Sequence, residues 1–142
     1  MTSDFSGSTP EWVGIDHVQL AIPVGGEDLA RSFYVDVLGL TEIPKPAVMA
    51  ARGGAWFEAG EVRVHVGAEA DFVPARKAHP ALTVRGLEQF VESSGLDATW
   101  NTEIEGLVRC HVDDPFGNRI ELIDTPRCPT PATRSKQVGE SS

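Results

Sequence analysis

Four side chains of the kinds that hold divalent metal ions recur along this chain at matched places. They are His17, His65, His79 and Glu121. Glu121 lies between apolar neighbours in a predicted strand, where a buried carboxylate is costly unless a cation or a donor pairs with it. Three imidazoles and one carboxylate form a ligand set for iron, nickel, zinc or manganese. We therefore expect these four residues to bind one divalent transition metal.

Taken singly, each histidine has a plainer interpretation, as a side chain that hydrogen-bonds to nearby backbone. The matched spacing favours the metal. Two predicted helices each end at a glycine. The number of residues between these two glycines equals the number between the last ligand candidates of the two halves. These pairs are Gly39 with Gly95 and His65 with Glu121. A chain built twice from one unit would bring its equivalent polar positions to one cleft.

The elements that must position these residues follow from hydrophobic periodicity and turn residues. Each half is predicted to form a strand, a helix and three strands. In the first helix Leu29, Phe33 and Val37 are expected on one side. The predicted elements are strand 14–22, helix 27–39, and strands 41–43, 55–58 and 61–66, then strand 79–84, helix 87–94, and strands 98–100, 107–112 and 118–123.

Composition limits the classes of partner. The chain has 142 residues, of which 41% are hydrophobic, and a net charge of −9 from 21 acidic and 12 basic residues. Because nucleic acids and anionic membranes attract positive surfaces, neither is expected as the main partner. No apolar run approaches the roughly 20 residues of a membrane span, and the N-terminus lacks signal-peptide features, so we expect a cytoplasmic protein.

The ends of the chain differ in composition from its middle. Residues 1–11 are rich in Ser, Thr, Gly and Asp, and residues 125–142 are rich in Pro, Thr and Ser. Both are predicted to be disordered tails around a single domain at 12–124. The two cysteines, Cys110 and Cys128, lack metal-site spacing and are expected to be free thiols.

Three short motifs carry a resemblance to a known superfamily. They are Asp16-His17-Val18 in the first strand, Ser32-Phe33-Tyr34 with Val37-Leu38-Gly39-Leu40 in the first helix, and Asp114-Pro115-Phe116-Gly117-Asn118-Arg119-Ile120-Glu121-Leu122 near the end. With these motifs, residues 13–124 resemble the vicinal oxygen chelate superfamily. Its members include glyoxalases, fosfomycin-resistance proteins, extradiol dioxygenases and bleomycin-binding proteins.

The resemblance implies an α+β fold in which two βαβββ modules form a cup-shaped mixed sheet. Module one would span about 12–68 and module two about 79–124. Such modules are often paired or exchanged in a homodimer, so the site would lie either within one chain or between two chains.

The resemblance also implies roles for the ligand candidates. His17, His79 and Glu121 match the ligand positions that the superfamily's metalloenzymes share, and His65 matches a fourth position where many members have Glu. The metal would act as a Lewis acid on a small substrate with two neighbouring oxygens. As the only carboxylate of the four, Glu121 is predicted to be the catalytic base as well as a ligand.

Other polar residues share strand faces with the ligand candidates. Gln19, Arg63, Arg109 and Arg119 are predicted to bind substrate, although the arginines would equally suit ion pairs with nearby acids. The fourth histidine, His111, is expected at the surface or beside the ligands, without contact to the metal.

Three functions are compatible with these features. The first is a metal-dependent enzyme of the glyoxalase type, either a lyase or isomerase or a dioxygenase. The alternative is a metal-free binding protein of the bleomycin-resistance type, which the net charge of −9 suits but three histidines and a glutamate do not explain. The third is a fosfomycin-type thiol transferase, for which His65 would be superfluous.

Overall fold

A computed structural model describes residues 8–126 of the chain. Of the predicted tails at 1–11 and 125–142, residues 1–7 and 127–142, with Cys128, lie outside the described residues, and residues 8–11 are exposed and form no helix or strand. The described residues form two four-stranded sheets. The strands are β1 (Val18–Pro23), β2 (Thr41–Ile43), β3 (Ala55–Ala59) and β4 (Val62–Glu69), then β5 (Ala81–Val84), β6 (Thr99–Asn101), β7 (Arg109–Asp113) and β8 (Arg119–Asp124).

Helical segments connect the first and second strands of each sheet. They are α1 (Glu27–Arg31), which continues as π-helix over Ser32–Val37, and α3 (Leu87–Ser94). A short helix that was not predicted, α2 (Ala47–Ala50), precedes β3. Among residues 8–126, no helix has the length and apolar character that a membrane span requires.

The two sheets have the same topology. Their strand orders are β1-β4-β3-β2 and β5-β8-β7-β6, with one parallel pair at the edge and two antiparallel pairs in each. Each sheet thus consists of one βαβββ module, and the predicted α+β fold with an internal repeat is confirmed.

The strand registers superimpose the two modules residue by residue. His65 on β4 faces Trp56 on β3, and Glu121 on β8 faces His111 on β7. His65 and Glu121 therefore occupy equivalent positions, as the spacing predicted. Trp56 and His111 are equivalent as well.

Alternation along the strands separates a buried face from a polar one. In β1, Leu20 and Ile22 are buried whereas Gln19 is exposed. The core beneath the sheets consists of apolar side chains from both modules, namely Leu20, Ile22, Ala30, Phe33, Tyr34, Leu40, Ala55, Phe57, Val64, Val66, Leu87, Val91, Cys110, Val112, Ile120 and Leu122. The free thiol of Cys110 is part of this core.

The first helix departs from the predicted pattern. Leu29 is 51% exposed, whereas the consecutive residues Phe33 and Tyr34 are both buried. The cause is the π-helical stretch, in which the backbone N–H of Leu38 donates to the carbonyl of Phe33 at 2.9 Å, five residues back. The wider turn changes the angle between successive side chains and brings both rings to the core.

Two of the ligand candidates lie just outside the strands predicted to contain them. His17 directly precedes β1, and His79 lies two residues before β5. Pro80 lacks the N–H that a ladder requires, yet its carbonyl accepts a hydrogen bond of 3.0 Å from the N–H of Glu121. This bond keeps His79 beside β8.

The turn between β7 and β8, in which Asp114 and Asn118 are buried, joins the two modules. Asp114 Oδ1 accepts hydrogen bonds from the backbone N–H groups of Phe116 and Asn118, both at 2.9 Å. Its Oδ2 accepts from the hydroxyl of Tyr34 at 2.7 Å. The amide of Asn118 donates to the carbonyl of Ala21 at 2.8 Å. The turn thus fixes the second module against β1 and the first helix.

Candidate metal centre

The two histidines of the first module form a stacked pair, which we call the first half-site (His17 and His65). Their ring centroids are 4.0 Å apart. The indole of Trp56 also stacks on His65, with the centroids 4.1 Å apart. Burial lowers the pKa of His65, and the nearby His17 lowers it further. A neutral imidazole retains the lone pair that a metal ligand needs.

The ring of His17 is held by its neighbour. Its Nδ1 lies 2.9 Å from Oδ2 of Asp16, and Oδ1 of Asp16 accepts a hydrogen bond of 3.0 Å from Arg63. The hydrogen bond with His17 lowers the pKa of Asp16. An ionised carboxylate accepts only, so Nδ1 of His17 carries a proton and Nε2 is the atom left to bind a metal. Such carboxylate partners orient the histidine ligands of metal sites.

The second module brings three side chains together, and we call them the second half-site (His79, His111 and Glu121). Glu121 is buried. Its Oε1 lies 3.1 Å from Nε2 of His79 and 3.9 Å from Nε2 of His111. Its Oε2 accepts a hydrogen bond of 3.0 Å from Arg109. Burial raises the pKa of Glu121, but the hydrogen bonds from Arg109 and His79 outweigh it and leave the pKa below its usual value.

The ring of His79 is also held in one orientation. Its Nδ1 lies 2.8 Å from the backbone carbonyl of Lys77. Because a carbonyl only accepts, Nδ1 carries a proton, and Nε2 faces the carboxylate of Glu121. Two lone pairs at this distance repel unless a proton or a metal cation lies between them. The donor set therefore fits a divalent cation, which would replace the second proton of His79.

The four predicted ligands fall into two pairs. Among residues 8–126, one group of at least three His, Cys, Asp or Glu residues has its ligand atoms within 4.8 Å of one another, and it is the second half-site. His17 and His65 are not members of that group. A single chain thus presents the two half-sites separately, and the four-ligand site stays a prediction.

The residues predicted to bind substrate divide between the two half-sites. Gln19 and Arg63 line a cavity of about 400 Å³ beside the first half-site. Arg63 also lies 3.6 Å from Glu58, so its guanidinium is shared between two acids. Arg119 lines a second cavity, of about 610 Å³, next to His111. Arg109 directly contacts Glu121.

Sequence reasoning left His111 out of the ligand set. The signal that would have included it is the register across the turn at 114–118, where the N–H of Asp114 donates to the carbonyl of Asn118 at 2.9 Å. Counting residues outward along both strands from this pair places His111 opposite Glu121. Burial lowers the pKa of His111, so its imidazole tends to be neutral.

Comparison with solved structures assigns the chain to a class. A glyoxalase family protein from Bacillus anthracis is 41% identical, with a TM-score of 0.78, over 82% of this chain and 99% of that one. A lactoylglutathione lyase from Agrobacterium tumefaciens (15% identity, TM-score 0.57, 81% and 94% covered) and a glyoxalase/dioxygenase from Nostoc punctiforme (18%, 0.59, 84% and 100%) share the fold. Neither the protein-family models nor the curated proteins gave a match.

These likenesses and the duplicated βαβββ unit define a protein of the glyoxalase fold. The identity of 41% across nearly the whole length of the Bacillus anthracis protein goes beyond a likeness of fold. The chain belongs to the glyoxalase family of the vicinal oxygen chelate superfamily.

Proposed function

We propose that this chain is a divalent-metal-dependent enzyme of the glyoxalase type, which acts on a small molecule with neighbouring oxygens. One observation carries the proposal. Both predicted histidine ligands that open the modules, His17 and His79, have Nδ1 held by an oxygen acceptor, so Nε2 is directed away from that acceptor. In metal sites, carboxylate and carbonyl acceptors orient the histidine ligands in this way.

The residues that would hold the metal are the four predicted ligands His17, His65, His79 and Glu121. The bound metal would supply Lewis acidity to the substrate's oxygens. Imidazole-rich sets of this kind suit iron, nickel, zinc or manganese.

We further propose that the two half-sites complete each other across a homodimer. A single chain keeps the first half-site outside the ligand group of the second. Large apolar side chains directly before His17 are exposed in the single chain, with Trp12 and Val13 at 88% and Ile15 at 81%. Exposed apolar surface of this kind marks contact sites. A second copy that covers it would set its own second half-site against His17.

Glu121 is the proposed base. Arg109 holds Oε2, and the carboxylate would take a proton from a carbon next to a carbonyl. A proton transfer of this kind is the step shared by glyoxalase-type lyases and isomerases. Arg119 and Arg63 would bind an anionic group of the substrate, and Gln19 would donate to one of its oxygens.

Elemental analysis of the protein purified without chelator or affinity tag tests the metal. About one equivalent of iron, nickel, zinc or manganese per chain is expected, and a His79→Ala/Glu121→Ala double variant should lose it. Glu88→Gln on the exposed side of α3 is the matched control and should retain it. Failure of the wild-type protein to take up any of these ions on reconstitution would favour a metal-free binding protein instead.

The reaction class has its own test. The metal-loaded protein would be incubated in deuterated water with a panel of α-hydroxycarbonyl compounds, and in aerated buffer with a panel of catechols. Deuterium uptake next to the carbonyl, absent in Glu121→Gln, is expected for a lyase or isomerase. Oxygen consumption with the catechols would instead identify a dioxygenase.

A further inference from the structure

We propose that His111 is a metal ligand, and that His79, His111 and Glu121 hold a divalent cation within one chain, without the first half-site. This inference rests on the metal dependence proposed above. It adds a ligand to the predicted set and gives the two half-sites different tasks, since one of them binds the metal alone and the other completes the site.

The geometry of the second half-site supports this assignment. One ligand atom from each of its three residues lies within 4.8 Å of the other two, as required of atoms that share one ion. The rings of His79 and His111 meet edge to face, with centroids 5.3 Å apart and planes at 79°. Their side chains are 26% and 22% exposed, so an ion can reach the site from solvent.

The backbone holds the three residues in place before any metal arrives. His111 and Glu121 are directly opposite each other on two antiparallel strands, and β7 is itself flanked by β6 and β8. The hydrogen bond from Arg109 fixes the carboxylate of Glu121, so Oε1 faces both imidazoles. Little conformational entropy remains to be lost on binding, which favours a tight site.

Among residues 8–126, no third His, Cys, Asp or Glu forms such a group with His17 and His65. At the position equivalent to His111 the first module has Trp56, whose indole stacks on His65 and has no lone pair to offer. Two imidazoles alone carry no charge to balance a dication. A set of two histidines and one carboxylate does, and it is a ligand set used for divalent iron. The second half-site is therefore the one expected to capture the metal first.

Titration of the metal-free full-length chain with Co²⁺ tests the assignment, because visible absorption of Co²⁺ reports its ligands as well as its affinity. The proteins would be the wild type, His111→Gln, His17→Ala/His65→Ala and the triple combination. The double variant should still bind one Co²⁺ per chain. His111→Gln should weaken binding by about tenfold or more and change the spectrum, and the triple variant should weaken it further.

Thr99→Ala is the matched control, because Thr99 pairs with His111 from the other neighbouring strand and offers no strong ligand. Circular dichroism and the Tm of each metal-free variant check the fold, and His111→Asn replaces His111→Gln if the latter unfolds. Equal affinity and an unchanged spectrum in His111→Gln would overturn the inference and leave the four-ligand site intact. Absence of Co²⁺ binding by the wild-type protein would overturn the proposed function together with it.

Discussion

His111 lies directly opposite Glu121, with its Nε2 3.9 Å from Oε1 of the carboxylate, and the matching place in the first module is taken by Trp56. The repeat is thus exact in backbone register but not in chemistry. One module offers two imidazoles beside an aromatic wall, and the other offers two imidazoles with a charged ligand. Because of this asymmetry, we expect the second module to bind a cation more tightly than the first.

Arg109 is predicted to tune the second half-site by way of Glu121. In Arg109→Met, loss of the hydrogen bond to Oε2 should raise the pKa of Glu121, because this bond is a main cause of its lowering. Metal affinity should fall by about 10–100-fold, as for other groups that orient a ligand, and the loss should grow as pH decreases. Co²⁺ dissociation constants at several pH values measure this effect. The exposed Arg52→Met serves as control, and an equal loss there would contradict the specific role of Arg109.

The hydroxyl of Tyr34 is predicted to stabilise the junction between the modules. Tyr34 is fully buried, and its hydroxyl donates to Asp114 Oδ2 at 2.7 Å. Tyr34→Phe leaves that oxygen with one donor fewer, and should lower the free energy of unfolding by about 1–3 kcal/mol. Urea denaturation measures the change. Ser93→Ala, which removes an exposed hydroxyl, should have little effect. An unchanged stability in Tyr34→Phe would show that the turn at 114–118 holds without this bond.

Stability at alkaline pH should depend on the same tyrosine. Burial raises the pKa of Tyr34 far above its ordinary value, and the charge of Asp114 raises it further. The folded state therefore favours the neutral phenol, and its advantage is complete below pH of about 10, where the unfolded tyrosine begins to ionise. Above that pH the free energy of unfolding should fall. The fall should be smaller in Tyr34→Phe. It should not disappear, because burial also raises the pKa of the Cys110 thiol, which this variant retains. Equal slopes in the two proteins would contradict this.

Gly54 is predicted to be essential for the pairing of β3 with β4, the strand that carries His65 of the first half-site. Its φ is +86°, and a Cβ built there would lie 2.2 Å from the carbonyl oxygen of Val66. Gly54→Ala should therefore combine backbone strain of about 1–3 kcal/mol with a clash that displaces β3 from β4. Gly60 has a φ of +57° and open space around it, so Gly60→Ala measures the strain alone. Thermal unfolding of both variants separates the two effects. Equal losses would show that β4 yields to the added methyl.

Much of the fold was predictable because its determinants are local. Alternation of apolar residues predicted the buried face of β1, and the helix at 87–94 begins and ends as predicted. In β4 it predicted the burial of Val64 and Val66, but His65 between them is buried as well. Equal spacing identified the equivalence of His65 and Glu121, since a repeated module conserves the interval between its elements.

The rest depends on contacts between distant residues. The π-helical turn buries both Phe33 and Tyr34, and it places the hydroxyl of Tyr34 against Asp114. A hydropathy pattern contains no information about this contact with a residue far away in sequence. The separation of the two half-sites follows from how whole modules pack, and strand alternation describes only faces within a module. His111 was set aside because its partner Glu121 is identified only by the register across a turn.

A mixing experiment tests most directly whether two copies share one metal site. Two double variants each remove one half-site from both chains of a homodimer, namely His17→Ala/His65→Ala and His79→Ala/Glu121→Ala. A mixed dimer of the two variants keeps one complete set of ligands, with one half-site from each chain. After the two variants are combined and chain exchange is verified with a tag on one of them, Co²⁺ titration should reveal a class of sites with wild-type affinity that neither parent shows. If mixed dimers form and bind Co²⁺ no more tightly than the parents, the site is not completed across two chains.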